Sequence, residues 1–227
     1  MTRNTAARLA GFLYLALLPT AGFAFGFIEF MPHGDAASSL AWLMANRQML
    51  AWTVLLGAAG FIDYLLVVAL LRKLLVSTST LATELMTLFV VASVPLSIAA
   101  FAQRMDLIGL IDAAPATMTP QAMLLLQSQH NLFGTSAIFW GLWLLPLGWL
   151  VWRSGLAPRI FGAGLIFGGC TYLWAFAAPL LDAHYTSSAL TRWTGFLAFP
   201  TMAAELGFGL WILIFGTRGL KLSAGTD

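Results

Sequence analysis

Long apolar runs dominate the chain, broken at intervals by short polar or proline-bearing stretches. A helix that spans a bilayer needs about 20 such residues at about 1.5 Å rise each. Six runs are long enough, near residues 8–28, 51–71, 79–101, 127–152, 160–178 and 194–216. None is amphipathic enough as a whole to lie flat in the interface. The pattern differs from Asp35 to Gln48: Gly34-Asp35 is a helix-opening signal, and Leu40, Trp42, Leu43 and Met44 form one apolar face. That predicts a short interfacial helix between the first two spans. Asp106 to Pro120, holding Pro115 and Pro120, reads as a loop before the fourth run. The expected fold is all-α, a polytopic transmembrane six-helix bundle forming a single integral membrane domain over residues 1–227.

Composition agrees. Of 227 residues 60% are apolar and 9% charged, against about a quarter charged in ordinary globular proteins. Too few charges remain to make the polar surface of a soluble enzyme, and the chain is too apolar to be disordered. A formal charge of +2 gives no reason to expect a nucleic-acid partner. The lone Cys170 excludes an internal disulfide or a multi-Cys metal site; within the fifth run it reads as an inert small apolar residue.

Lysine and arginine set the orientation. One side collects eight: Arg3, Arg8, Arg72, Lys73, Arg153, Arg159, Arg218 and Lys221; the other collects three: Arg47, Arg104 and Arg192. The rich side is predicted cytoplasmic, with both termini on it. Gly22-Phe23-Ala24 resembles a signal-peptide cleavage site, but the apolar run continues to Ile28, so the first run is read as a retained span. Pro19, Pro95, Pro146 and Pro200 sit at unmatched offsets in their runs, which argues against a three-plus-three inverted repeat.

Three carboxylates fall inside spans: Asp63, Glu84 and Glu205. With no Lys or Arg expected at comparable depth, each should be protonated, hydrogen-bonded or beside water. They form the candidate proton-titrating set. Each lies on a stripe of small or hydroxyl residues: Thr53, Gly57, Gly60 and Asp63; Thr80, Glu84 and Thr87; Thr194, Ala198, Thr201, Glu205 and Gly209. Such stripes pack inward. Acids there either bind a ligand or proton, or serve as hydrogen-bonding glue between helices. On the fourth run His130 heads a stripe of Gly134, Ala137, Gly141 and Gly148 and is expected to point inward. The candidate ligand-binding set is His130, Asn131, Glu205, Thr201, Glu29 and Arg104, around an outward-facing pocket between the fourth and sixth helices. Pro200 would free a backbone carbonyl there.

Other chemistry is thin. His33-Gly34-Asp35 and Asp182-Ala183-His184 each hold two potential metal ligands, but no spacing joins them, and no metal or other cofactor is expected. No second histidine lies in a span to complete a haem site. Zinc-protease, phosphate-loop and Ser-hydrolase signatures are missing. Small-x-x-x-small pairs, such as Gly164/Gly168 and Ala203/Gly207, indicate close helix packing and leave oligomeric state open.

Several stretches share a pattern: Ala7-Arg8-Leu9-Ala10-Gly11-Phe12-Leu13-Tyr14; His130-Asn131-Leu132-Phe133-Gly134; Trp152-Arg153-Ser154-Gly155-Leu156-Ala157-Pro158-Arg159-Ile160, ending at Gly162; and Ala204-Glu205-Leu206 with Trp211. Together with Asp63 before Leu70-Leu71-Arg72, they resemble a bacterial membrane family catalogued as domain of unknown function 4386. The resemblance implies six helices, a bacterial inner membrane, and pattern positions at Asp63, His130 and Glu205. It also implies a basic residue in the third helix, where this chain has Glu84. The Arg-Ser-Gly turn has its own physical reading: Gly155 caps one helix, Pro158 starts the next, and Arg153 and Arg159 sit at head groups.

Three function classes remain. The first is binding or transport of a small or amphipathic molecule through an intramembrane polar pocket. The second is a structural or accessory membrane protein without a ligand. The third, least favoured because no nucleophile–base pair is visible, is an intramembrane enzyme using His130 and a carboxylate.

Overall fold

Each apolar run folds as a helix, and most helices outrun the stretch that predicts them. The structure, a computed structural model, describes residues 1–31, 35–113, 118–181 and 189–218, with all of their side chains except those of 29, 30 and 189–194. The helices are α1 (Arg3–Gly26), α2 (Ala36–Ala45), α3 (Arg47–Leu75), α4 (Thr80–Ala113), α5 (Met118–Ser154), α6 (Arg159–Leu181) and α7 (Ala189–Phe215), with a 3-10 turn at Phe27–Phe30. Among the described residues there is no strand. Six helices are long and apolar enough to cross a membrane, and α2 is the short one. The chain is a multi-pass helical membrane protein.

The chosen caps explain several boundaries. The Asp35 side chain accepts a hydrogen bond from the Ser38 amide at 2.8 Å and opens α2. Gly155 closes α5 with φ of 70°, a left-handed conformation that favours glycine. Pro158 follows and α6 begins at Arg159. Pro120 lies in the first turn of α5, where its missing N–H is harmless.

The expected loop from Asp106 is corrected: α4 runs unbroken to Ala113, and α5 already starts at Met118. The reason is a helical apolar face. Leu107 and Ile111 join Leu40, Leu43, Leu50, Met118 and Ala122 in one buried cluster, while Asp106 and Asp112 stay exposed. Arg47 and Asp112 pair at 2.5 Å on its surface.

The chain packs as two compact units. The first comprises Met1–Leu15, Tyr64–Ser93 and Ala137–Asp227; the second comprises Ala16–Asp63 and Val94–Ser136. In the first unit, α5 and α6 meet backbone to backbone. A Cβ on Gly148 would lie 2.5 Å from the Gly162 carbonyl oxygen, and one on Gly169 would lie 2.7 Å from that of Gly141. On α7, Ala204 seats on Gly164 and Thr201 on Gly168. In the second unit, Gly57 makes room for the Phe101 ring, which stacks with Phe25 and meets Phe61 and Phe133 edge-on.

Candidate functional site

The second unit buries a cation. Arg104 has 0% of its surface exposed. It sits on the inward stripe of α4 with Ser93, Ser97, Ala100, Leu107 and Ile111, spaced three or four apart as a helix face requires. Its Nε donates to Gln129 Oε1 at 2.9 Å. Its Nη1 donates to the Ala24 carbonyl at 2.5 Å and to Thr53 Oγ1 at 2.7 Å. Thr53 in turn donates to the Leu50 carbonyl at 2.6 Å. The Phe101 and Phe133 rings lie 5.4 and 5.7 Å from the guanidinium carbon, close enough for cation–π attraction. Nη2 has no hydrogen-bond partner among the described residues. The ion pairs among the described residues join Arg47 to Asp112 and Arg72 to Glu84; Arg104 is in neither.

A guanidinium keeps its charge inside a protein. An ion moved from water into a low-dielectric interior loses several kcal/mol unless that loss is offset. Three hydrogen bonds and two aromatic faces offset part of it here. They hold the group rigidly and leave one nitrogen, with two N–H bonds, able to donate.

The first unit buries an acid. Glu205, 8% exposed, accepts a hydrogen bond from the Tyr14 hydroxyl at 2.9 Å. Tyr14 packs edge-on against Phe208 and, tilted, against Trp143. Trp143 also takes the edge of Tyr64 at 5.1 Å. The Tyr64 hydroxyl and the Trp211 Nε1 are buried without a hydrogen-bond partner among the described residues. The rings touch one another, and through Tyr14 this aromatic cluster presents one phenol to the buried carboxyl.

The expected site residues divide between the units. Arg104, His130 and Asn131 belong to the second, Glu205 and Thr201 to the first. His130, expected inward, is exposed, as is Asn131; the inward residue is the preceding Gln129, 4% exposed. The stripe used to orient His130 holds only where α5 packs on α6. Toward the other end of α5 the buried positions are Met118, Ala122, Gln129 and Ser136. At about 100° per residue, Gln129 lies about 120° round the helix from Gly141. Thr201 is inward, but its hydroxyl donates to the Leu197 carbonyl at 3.0 Å and its methyl covers Gly168. Glu29 lies in the 3-10 turn, its side chain outside the described ones. His33, Asp182 and His184 lie outside the described residues too.

Among the acids, Glu84 is corrected on two counts. It is not without a cation: Arg72 Nη2 meets its Oε1 at 2.5 Å. Nor is it on the inward face of α4, which runs through Thr83, Met86 and Val90. Helices α3 and α4 are thus joined by an acid–base pair, with the acid on α4. Asp63 is half-buried, and its Oδ1 has no partner among the described residues.

Gln129, Tyr14 and Tyr64 are not anticipated by the sequence; Thr53 is, as part of an inward stripe, and it is buried there against Arg104. Gln129 had a sequence signal: with Ala122 and Ser136 it makes a second small-or-polar stripe at sevenfold spacing. Tyr14 had none beyond being a phenol mid-span.

The family model described as a domain of unknown function, DUF4386, matches residues 9–216. No curated protein and no solved structure matches the chain. The match spans all six membrane-length helices together with both buried polar centres. This chain belongs to the DUF4386 family.

Proposed function

We propose that the protein binds a small amphipathic molecule in its helical interior, as a binding or transport protein of the bacterial cytoplasmic membrane with both termini in the cytoplasm. Arg104 lies buried inside α4 rather than in a loop, so Lys and Arg divide eight to two between the sides, and that division supports the orientation. One observation carries the ligand reading: Arg104 is wholly buried, yet its Nη2 has no partner among the described residues. Ionisable groups at membrane depth are costly and mark ligand or ion sites. A purely structural Arg would be expected to spend all its donors on the protein.

A second reading, an accessory protein without a ligand, has the α5–α6 glycine seam and the filled aromatic cluster around Glu205 in its favour. Thermal unfolding of the purified protein in a neutral detergent separates the two. A ligand that binds only the folded state raises the melting temperature by mass action. Single-chain amphiphiles, added in series, should include at least one that does so in a saturable manner. If none shifts the wild type, the accessory reading replaces this one.

A further inference from the structure

Granting that the interior binds an amphiphile, we infer that Arg104 receives its head group, and that this head group is a singly charged oxyanion such as a carboxylate or a phosphodiester. The argument starts from charge. Arg104 brings one positive charge into a fully buried position, and no described carboxylate pairs with it. Of the carboxylates in its unit, Asp112 is engaged by Arg47, Asp35 by the Ser38 amide, Asp106 is exposed, Asp63 is half-buried but makes no ion pair with Arg104, and the Glu29 side chain lies outside the described ones. One negative charge restores neutrality; a dianion would leave an excess of the opposite sign.

Geometry narrows the choice further. Five N–H bonds leave a guanidinium. Nε spends its one on Gln129, and Nη1 spends its two on Ala24 and Thr53. Both two-nitrogen edges that grip an oxyanion as a fork include a committed nitrogen. The ligand must therefore be taken end-on, by the two N–H bonds of Nη2 alone. That suits a carboxylate or one ester phosphate oxygen and does not suit a multiply charged phosphate. The Phe101 and Phe133 rings lie beside the guanidinium, its carbon 5.4 and 5.7 Å from their centres, with Phe25 and Phe61 around them. What surrounds the bound charge is aromatic hydrocarbon, which favours a ligand whose remaining bulk is apolar. Thr53 and Gln129 act as positioning residues: they fix the guanidinium plane and hence the direction of Nη2.

The test uses the full-length protein in a neutral detergent and compares oleate with oleyl alcohol, which share a chain and differ in the head. Native mass spectrometry and thermal unfolding are read together. Oleate should bind at least about tenfold more tightly than the alcohol. At about a hundredfold excess over its Kd it should raise the melting temperature by about 5–10 °C. Phosphatidylglycerol against phosphatidylcholine nanodiscs, and acetate alone, distinguish the sources of the charge. Preference for phosphatidylglycerol assigns a lipid head group and supports the inference; a shift with acetate equal to that with oleate assigns a free small anion, which keeps Arg104 as an anion site but overturns the head-group reading. Equal binding of oleate and oleyl alcohol overturns the anion site and leaves amphiphile binding standing. No binding of any probe overturns both.

Arg104→Gln should abolish the oleate preference. Glu29→Gln provides a second measurement that does not depend on the folding of that variant. Unchanged oleate preference supports an external anion. Oleate binding that appears only in Glu29→Gln shows that Glu29 is the native counter-ion and overturns the inference.

Discussion

At the scale of single residues, the two buried phenols make opposite forecasts. Tyr14 donates to a carboxylate oxygen of Glu205, so Tyr14→Phe strands a buried acid and should cost about 1–3 kcal/mol. The Tyr64 hydroxyl is buried without a partner among the described residues. Tyr64→Phe should therefore be neutral or stabilise by up to about 1 kcal/mol. Melting temperatures of the two variants in one detergent check both; equal losses would contradict the assignment. What the sequence revealed at this scale was which groups are chemically expensive in a membrane. It did not reveal their partners. Glu205 was legible as buried, because Thr201 and Gly209 flank it at helical spacing. The link to Tyr14 joins residues 191 positions apart, and no periodicity encodes that.

At the scale of the element, the glycines of α5 are not equivalent. Gly148 faces the carbonyl oxygen of Gly162 and the backbone of Ile166, whereas nothing lies within 4 Å of a Cβ on Gly134. Gly148→Ala should push α5 and α6 apart and destabilise by about 1–3 kcal/mol. Gly134→Ala should be tolerated or gain about 0.4–1 kcal/mol through helix propensity and reduced unfolded-state freedom. Thermal unfolding separates the pair. Both glycines had been placed on one stripe with His130. The stripe fails because one helix of 37 residues has different buried faces at its two ends. Periodicity gives a face only as far as the same neighbour continues.

The short helix α2 makes a pH forecast. Hydrogen bonding from Ser38 holds the Asp35 carboxyl below its ordinary value of 3.8. Its folded-state value is depressed, so its contribution is fully present above the ordinary value and is lost as pH falls through the lower folded one. Hydrogen exchange in the first turn of α2 should therefore quicken below about pH 4. Asp35→Asn keeps a capping side chain and should remove that pH dependence.

At the scale of the whole molecule, the number of spans is the most legible feature. It depends on total apolar length rather than on which side chain meets which. Less legible was where a span stops. α4 continues twelve residues past the run ending at 101 because Leu107 and Ile111 still have an apolar cluster to enter. Hydropathy cannot tell lipid from protein as the apolar partner. If α4 crosses the membrane, its two ends face opposite compartments. Cysteines at Ser77 and Ala113, both exposed, should react with an impermeant maleimide from opposite sides of the membrane, with Ser77→Cys protected in intact cells. Labelling of both from outside would refute the topology.

The glycine seam between α5 and α6 also bears on how the chain is assembled. Lipid offers helices no hydrophobic reason to associate, so pairing has to come from close backbone approach. Only the four residues from Gly155 to Pro158 separate these two helices, and the reciprocal contacts of Gly141 with Gly169 and of Gly148 with Gly162 require no third element. The hairpin can close as soon as its second arm leaves the ribosome. Its α6 arm then offers Gly164 and Gly168 to Ala204 and Thr201 of α7, so α7 can dock on a hairpin that is already closed.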